Sequence, residues 1–270
     1  MARIMEAATG LDLWLLGLLL LALLLAANEV GFRLGRRRTA HLPADAGGHV
    51  GVLTTGMLGL LAFTLGLAIS IADQRFEARR DLVVREANAI GTAWLRAGLL
   101  RDAAEAAALR RHLADYARIR LDYTTARPDR DRIAALNRAT EAAQARIWTM
   151  AEAAARQDAT PLTAALVAAL NETFDAAQAQ RYAHESRVPA HIQWLLLAGS
   201  LLAVGAVGYQ LGFGPQRHGV LSTLLMAMWT GGMLLVADLN RPREGHILVD
   251  PKPLRWALES MDTAAGAGRR

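Results

Sequence analysis

The apolar positions of the chain are concentrated in four blocks, and the segments between them repeat apolar residues every three or four positions. The blocks contain no charged residue and cover residues 13–27, 50–72, 192–213 and 219–237. Because a helix needs about 20 residues to cross a bilayer, each block is predicted to be a membrane-spanning helix. The first block is the shortest, so Asp12, Asn28 and Glu29 are expected at or near its interfaces.

A secretory signal peptide is the alternative interpretation of the first block. Such a peptide carries its basic residues ahead of the apolar run and a small-residue cleavage site after it. Here the basic residues follow the block, at Arg33 and residues 36–38, and no such cleavage pattern precedes them. We therefore favour a retained span.

Residues 73–190, between the second and third blocks, have the periodicity of amphipathic helices. Two seams follow this spacing: Leu109, Leu113, Tyr116, Arg120 and Tyr123, and then Ile133, Leu136, Thr140, Ala143, Ile147 and Met150. Asp129 and Thr160 are typical helix starts, so three helices are predicted: a continuation of span two to about residue 124, residues 129–157 and residues 161–187. The predicted fold is all-α, with four transmembrane helices and a helical extramembrane insert between spans two and three.

The predicted organisation has four parts. Residues 1–72 hold the first two spans, residues 73–190 the insert, residues 191–238 the last two spans and residues 239–270 a C-terminal tail. In the tail, a turn precedes a short extended run at residues 246–249. A helix is predicted from Leu254 to about Met261, followed by a disordered end from Ala264.

Composition supports a membrane protein and excludes several other classes. Of the 270 residues, 53% are hydrophobic and only 20% are charged, against about 25% charged in an ordinary soluble domain. The absence of cysteine excludes a disulfide framework and a cysteine nucleophile. The net charge is +5, but the insert holds 18 arginines against 16 acidic residues. A nucleic-acid-binding protein presents a one-signed face, so no nucleic-acid partner is predicted.

No arrangement of residues points to catalysis. His184, Glu185 and His191 resemble ligands, but Pro189 lies between the histidines, and a structural role is favoured over a metal site. A phosphate-binding loop and a zinc-protease motif are both missing. The sequence therefore predicts a protein that is not an enzyme, with no catalytic residue, metal or cofactor. The spans carry no central charge, which argues against a proton-driven pump and is compatible with a channel.

Span two has small residues at every fourth position, in two series: Gly51, Thr55 and Gly59, and then Ala62, Gly66 and Ser70. One interpretation is a packing face, because small residues let helices approach closely in lipid. The other is a pore surrounded by several copies, in which Phe63 and Leu67 form a hydrophobic constriction. Arg75 and Arg79 would then raise the anion concentration at its mouth. The pore-lining candidates are Thr55, Gly59, Phe63, Gly66, Leu67 and Ser70.

Two polar segments adjoin the membrane blocks. The first, where span two enters the insert, contains Glu86, Asn88, Thr92 and Arg96. Glu86 and Arg96 are too far apart to pair on one helix, but they can join a polar network with another element, because arginine offers carboxylates a planar fork. Asp238 ends span four beside two arginines, and a solvated helix end is the alternative interpretation there.

Residues 86–96 and 238–254 resemble motifs of the bacterial bestrophin-like family of membrane proteins, and the resemblance extends over about residues 45–260. The residues that carry it are Glu86, Asn88, Thr92, Arg96, Asp238, Asn240, Pro242 and Gly245. The family pattern usually has an aspartate where Asn240 stands, which argues against a cation-binding role for that turn. Phe63, Leu65 and Gly66 also resemble the pore helix of true bestrophins.

The resemblance implies a channel. Bestrophins are pentameric anion channels with cytoplasmic inserts and termini. By analogy, the chain is expected to form a homo-oligomer, pentameric in that analogy, that passes small ions, anions above all, across the bilayer of the bacterial inner membrane. The basic residues of the short loops are divided equally between the two sides, and the arginines at the insert ends favour a cytoplasmic insert. The alternative function is a non-conducting membrane sensor or scaffold whose insert binds a ligand or partner.

Overall fold

The computed structural model describes residues 12–38, 46–186, 189–214 and 218–267. These residues form eight α-helices and no strand, which confirms the all-α prediction. The helices are α1 (Leu13–Arg38), α2 (Ala46–Ala97), α3 (Ala103–Thr125), α4 (Arg130–Gln157), α5 (Pro161–Glu185), α6 (Ala190–Leu211), α7 (Gly219–Leu239) and α8 (Lys252–Ala267).

Four of the described helices are long and apolar enough to cross a membrane, which confirms the predicted number of spans. They are α1, α2, α6 and α7. The chain divides into two compact units. The membrane unit comprises Met1–Gln74, Arg187–Arg241 and Gly245–Ile247, and the insert unit comprises Arg75–Ser186, Pro242–Glu244 and Leu248–Arg270.

In the membrane unit, α1 and α6 are in direct backbone contact through glycines. A Cβ atom on Gly31 would lie 2.0 Å from the carbonyl oxygen of Gly205, and one on Gly208 would lie 2.1 Å from that of Asn28. Real side chains do not tolerate such distances, so only glycine permits this crossing.

The membrane-unit part of α2 buries one face. This face carries Thr54, Leu61, Leu65, Ala68 and Ala72, spaced by seven, four, three and four residues. Leu61 lies against Gly199 of α6, and Leu65 lies against Gly232 of α7. The spacing is that of a helix packed along one stripe, so the opposite face of span two is left open in the single chain.

In the insert unit, the predicted continuous helix to residue 124 is interrupted. Helix α2 ends at Ala97, and α3 begins at Ala103 after Asp102, whose carboxylate accepts hydrogen bonds from the backbone N–H groups of Ala104 (2.7 Å) and Glu105 (3.1 Å). An aspartate at this position satisfies backbone donors that a helix start leaves unpaired. The starts of α4 and α5, capped by Asp129 and Thr160, agree with the prediction.

The tail helix is longer than predicted. Helix α8 begins at Lys252 and continues to Ala267, past the expected end near Met261, and residues 268–270 lie outside the described residues. Its apolar side chains join the core of the insert unit, with Leu254, Leu258 and Met261 all buried. Burial of this stripe stabilises a helix that its sequence alone leaves marginal.

Candidate functional site

The six pore-lining candidates share the open face of α2. At 3.6 residues per turn, all of them project away from the buried stripe of the same helix. Phe63 is 64% exposed and Leu67 is 49% exposed in the single chain. A Cβ atom on Gly59 or Gly66 would meet no other atom within 4 Å. The candidates are Thr55, Gly59, Phe63, Gly66, Leu67 and Ser70.

The open face is uncharged, and its polar groups are hydrogen-bonded within α2. The Thr55 hydroxyl donates to the carbonyl oxygen of Gly51 at 2.9 Å. The Ser70 hydroxyl oxygen accepts a hydrogen bond from the Gln74 amide at 3.2 Å. The face therefore presents hydroxyl groups and apolar side chains, and no charged residue.

Arg79, one of the two arginines expected at a pore mouth, is buried in the structure. Its side chain is only 2% exposed, and its Nε donates to the carbonyl oxygen of Arg75 at 3.1 Å. Arg79 belongs to the insert unit, and Arg75, one helical turn before it, is half-buried.

A buried ion pair lies at the centre of the insert unit. Glu86 of α2 is 0% exposed and forms an ion pair with Arg120 of α3, which is 1% exposed. Arg120 also donates to the side-chain oxygen of Gln180 and to the carbonyl oxygen of Ala177, both on α5. The cluster therefore joins three helices of the insert unit through one guanidinium group.

Burial raises the pKa of the Glu86 carboxyl, whereas the contact with Glu86 favours the charged form of Arg120. Burial alone lowers the pKa of Arg120, but the charge and the hydrogen bonds of Glu86 outweigh that effect, so the pKa of Arg120 lies above its usual value. Sequence reasoning singled out Glu86 and missed its partner. Arg120 was visible as a charged residue on the otherwise mostly apolar seam of residues 109–123, a position that requires a buried counter-ion.

Next to the ion pair, Arg243 of the C-terminal tail binds the end of α3. Nη1 of Arg243 donates to the carbonyl oxygens of Tyr123 (2.8 Å) and Ala126 (3.1 Å). The guanidinium carbons of Arg120 and Arg243 lie 4.5 and 4.6 Å from the centroid of the Tyr123 ring. These cation–π contacts stabilise both guanidinium groups away from water.

His184 of α5 completes this cluster. Its ring packs edge-on against Tyr123, with 6.0 Å between centroids, and its Nδ1–H donates to the carbonyl oxygen of Gln180 at 3.0 Å. Burial is the main cause that lowers the pKa of His184 from 6.5 to about 4, and the charges of Arg243, Arg79 and Arg120 act in the same direction. The imidazole is therefore neutral at pH 7.

We expect His184 to make the insert less stable in acid. Because the unfolded state binds the proton more tightly, the stabilisation is complete above about pH 6.5 and falls as the pH drops to about 4, by about 3 kcal/mol in total. His184→Phe keeps the ring and removes the titration, so thermal unfolding of the variant should lose this part of the pH dependence. His112→Phe, at a half-buried site, should retain the pH dependence of thermal stability. If stability varies with pH equally in the two variants, the assignment of this dependence to His184 is contradicted.

The other motif residues of α2 do not join the Glu86 cluster. Nη1 of Arg96 donates to the carbonyl oxygen of Ala165 on α5 at 2.7 Å. Asn88 is exposed and Thr92 is half-buried. Glu86 and Arg96 thus both bind other helices, as the sequence suggested, but through separate contacts.

Asp238 organises the turn that follows α7 in the membrane unit. Its two carboxylate oxygens accept hydrogen bonds from the backbone N–H groups of His246 (2.7 Å) and Ile247 (3.2 Å). A Cβ atom on Gly245 would lie 2.7 Å from Oδ1 of Asp238, so glycine is needed for this close approach. The carboxylate is 7% exposed, and the alternative of a solvated helix end is wrong.

The other residues of this motif, Asn240 and Pro242, lie at the end of α7 and in the segment after it. Asn240 is buried at the end of α7, and Pro242 lies in the non-helical segment that leads to α8. Within the described residues, no group of three or more histidine, aspartate or glutamate side chains is placed to hold a metal ion.

Four apolar helices, a helical insert between the second and third, and a carboxylate-held turn after the fourth define a polytopic all-α membrane protein. The family model of the Bestrophin-like domain matches residues 3–254, and the chain belongs to the Bestrophin-like family. The fold is similar to that of a crystallised variant of a bacterial bestrophin homologue from Klebsiella pneumoniae, with a TM-score of 0.61 and 16% identity over 92% of this chain and 95% of that chain. No curated protein matches the sequence.

Proposed function

We propose that the protein assembles as a homo-oligomer, with five copies by analogy with bestrophins, into an anion-permeable channel lined by α2. The observation that carries the proposal is the open face of span two. Over residues 55–70 this face is small or apolar, carries no charge and lies opposite the stripe that packs within the chain. A membrane helix with one face packed and one face open is suited to contact with lipid, with further copies or with water, and the small residues of this face favour close approach of further copies.

The anion preference rests on the resemblance to bestrophins and on the lack of acidic rings, because the face carries no charge of either sign. Cation channels commonly use rings of aspartate or glutamate, and residues 50–72 contain neither. Phe63 and Leu67, one turn apart, would form an apolar ring in each layer of an oligomer. Such a ring opposes wetting, so it would act as the gate.

We expect Phe63→Ala to increase chloride flux in liposomes that contain the purified protein, because a smaller side chain eases wetting of the constriction. Gly59→Trp should reduce the flux, since the open space at Gly59 would be filled. Chloride should pass more readily than sodium. Leu202→Ala, a truncation at an equally exposed position of α6, is the control and should leave the flux unchanged.

The channel proposal fails if neither the natural protein nor Phe63→Ala carries current. In that case, the non-conducting sensor or scaffold takes its place, with the insert unit as the binding element. Ligand-dependent changes confined to the insert would then be the expected observation.

We also propose that the insert and both termini face the cytoplasm of a bacterial inner membrane. Since the chain has no cysteine, single cysteines at Ala103, Ala139 and Ala264 report the orientation directly. All three should resist a membrane-impermeant thiol reagent in intact cells and react after lysis. Labelling of Ala103→Cys in intact cells would contradict the proposal and place the insert outside the cytoplasm.

A further inference from the structure

The insert unit contains an open groove of about 840 Å³ between the end of α2, the first turns of α3 and the end of α8. We propose that this groove binds a small organic anion with a phosphate or carboxylate head and an apolar body. Its volume lies within the range of about 300–1,000 Å³ that is usual for small-molecule sites. All of its lining residues belong to the insert unit, so the site is complete within that unit.

The groove has an excess of positive charge. Four arginines line it: Arg101, Arg110, Arg111 and Arg118. Arg118 forms ion pairs with Asp115 (2.8 Å) and Asp262 (3.2 Å), the two acidic residues of the lining, so the four arginines and two aspartates give the groove a net charge of +2. The other three arginines form no ion pair with a carboxylate among the described residues. This net positive charge, with three guanidinium groups that have no carboxylate partner, favours an anionic occupant.

Arg110 is held in place rather than free in solvent. Its Nε donates to the carbonyl oxygen of Trp94 at 3.2 Å, and its guanidinium carbon lies 4.2 Å from the centroid of the Trp94 ring. A Cβ atom on Gly98 would lie 1.9 Å from Nη2 of Arg110. The guanidinium therefore occupies the space that any other residue at position 98 would fill. A planar donor fixed by stacking is suited to bidentate recognition of phosphate or carboxylate.

The remainder of the lining is apolar, which is why an organic anion is proposed instead of a bare ion. Leu100, Ala103, Ala107, Ala114 and Met261 are among the residues that form it. Apolar walls with a few placed charged groups are the usual composition of small-molecule sites.

The test is isothermal titration of the purified full-length protein in detergent with phenyl phosphate, benzoate, benzyl alcohol and inorganic phosphate. The two organic anions should bind, the neutral alcohol should not, and inorganic phosphate should bind more weakly than phenyl phosphate. Arg111→Gln should raise the Kd by about tenfold or more, as expected for the loss of a charged hydrogen bond. Arg146→Gln removes the same charge from an exposed position on α4 and should leave the Kd unchanged.

Gly98→Ala distinguishes binding to a fixed Arg110 guanidinium from a general attraction of anions to positive charge. It retains every arginine but displaces the Arg110 guanidinium, whose flexible end can move, so the fold should persist while the Kd rises. The proposal is overturned if neither organic anion binds, or if Gly98→Ala and Arg111→Gln bind as the natural protein does. If inorganic phosphate binds as tightly as phenyl phosphate, the proposal that the ligand is organic is also overturned. Because the readout is binding, its outcome is independent of ion permeation.

Discussion

Arg120→Met is expected to lower the free energy of unfolding by about 3–5 kcal/mol, the usual cost of breaking a buried ion pair from one side. The substitution leaves the Glu86 carboxylate, 0% exposed, without its counter-ion. It also removes the donor that Gln180 and the carbonyl oxygen of Ala177 share. Denaturant unfolding of the detergent-solubilised protein, followed by circular dichroism, measures the change.

Two variants isolate the charge effect of Arg120→Met. Arg118→Met removes an arginine from the same helix, but its ion pair with Asp115 is exposed, so the expected change is below about 1 kcal/mol. Combining Glu86→Leu with Arg120→Met removes both charges and should recover much of the lost stability, because an apolar pair of similar volume can replace a buried ion pair. If Arg120→Met and Arg118→Met lower the free energy of unfolding equally, the buried ion pair stabilises the protein no more than the exposed one.

The second large effect is expected at Gly208. Gly208→Ala places a methyl group 2.1 Å from the backbone carbonyl oxygen of Asn28, and a backbone atom in a packed helix cannot turn aside as a side chain can. Helices α1 and α6 must then separate along their crossing, with a loss of about 3 kcal/mol or more, at the upper end for overpacking. Thermal unfolding and size-exclusion chromatography in detergent should show a less stable, heterogeneous protein.

Gly231→Ala is the matched control for Gly208→Ala. It adds the same methyl group to a glycine in the middle of α7, where a Cβ atom meets nothing within 4 Å. Alanine favours helix over glycine by about 1 kcal/mol, so this variant should be at least as stable as the natural protein. If the two alanine variants unfold at the same temperature, the glycine contact between α1 and α6 does not stabilise the membrane unit.

The helix starts in the insert show which local sequence signals were sufficient to predict a helix boundary. Asp129 and Thr160 were recognised because each precedes a clear run of helical periodicity, with a proline nearby. The start after Asp102 was missed, although Asp102 and Glu105 have the spacing of a helix N-terminus. The apolar periodicity continues across residues 98–102, so the pattern indicates one helix where the chain makes a tight turn.

The sequence by itself determined the four spans, the helical class of the insert and the position of the two polar motifs. Each of these depends on neighbours along the chain. A span must satisfy its own backbone hydrogen bonds in lipid, and an amphipathic helix displays its period within a few turns. The resemblance to the bestrophin-like family also followed from short local motifs at residues 86–96 and 238–254.

Only the tertiary structure decided which residues meet. Glu86 and Arg120 are 34 residues apart, and their pairing depends on how α2 and α3 pack. The burial of Arg79 and the open face bearing Phe63 depend on which helices cover α2 and which leave it bare. A charge or an apolar face has the same local pattern whether it is covered or exposed, because burial is set by elements that are distant in sequence and close in space.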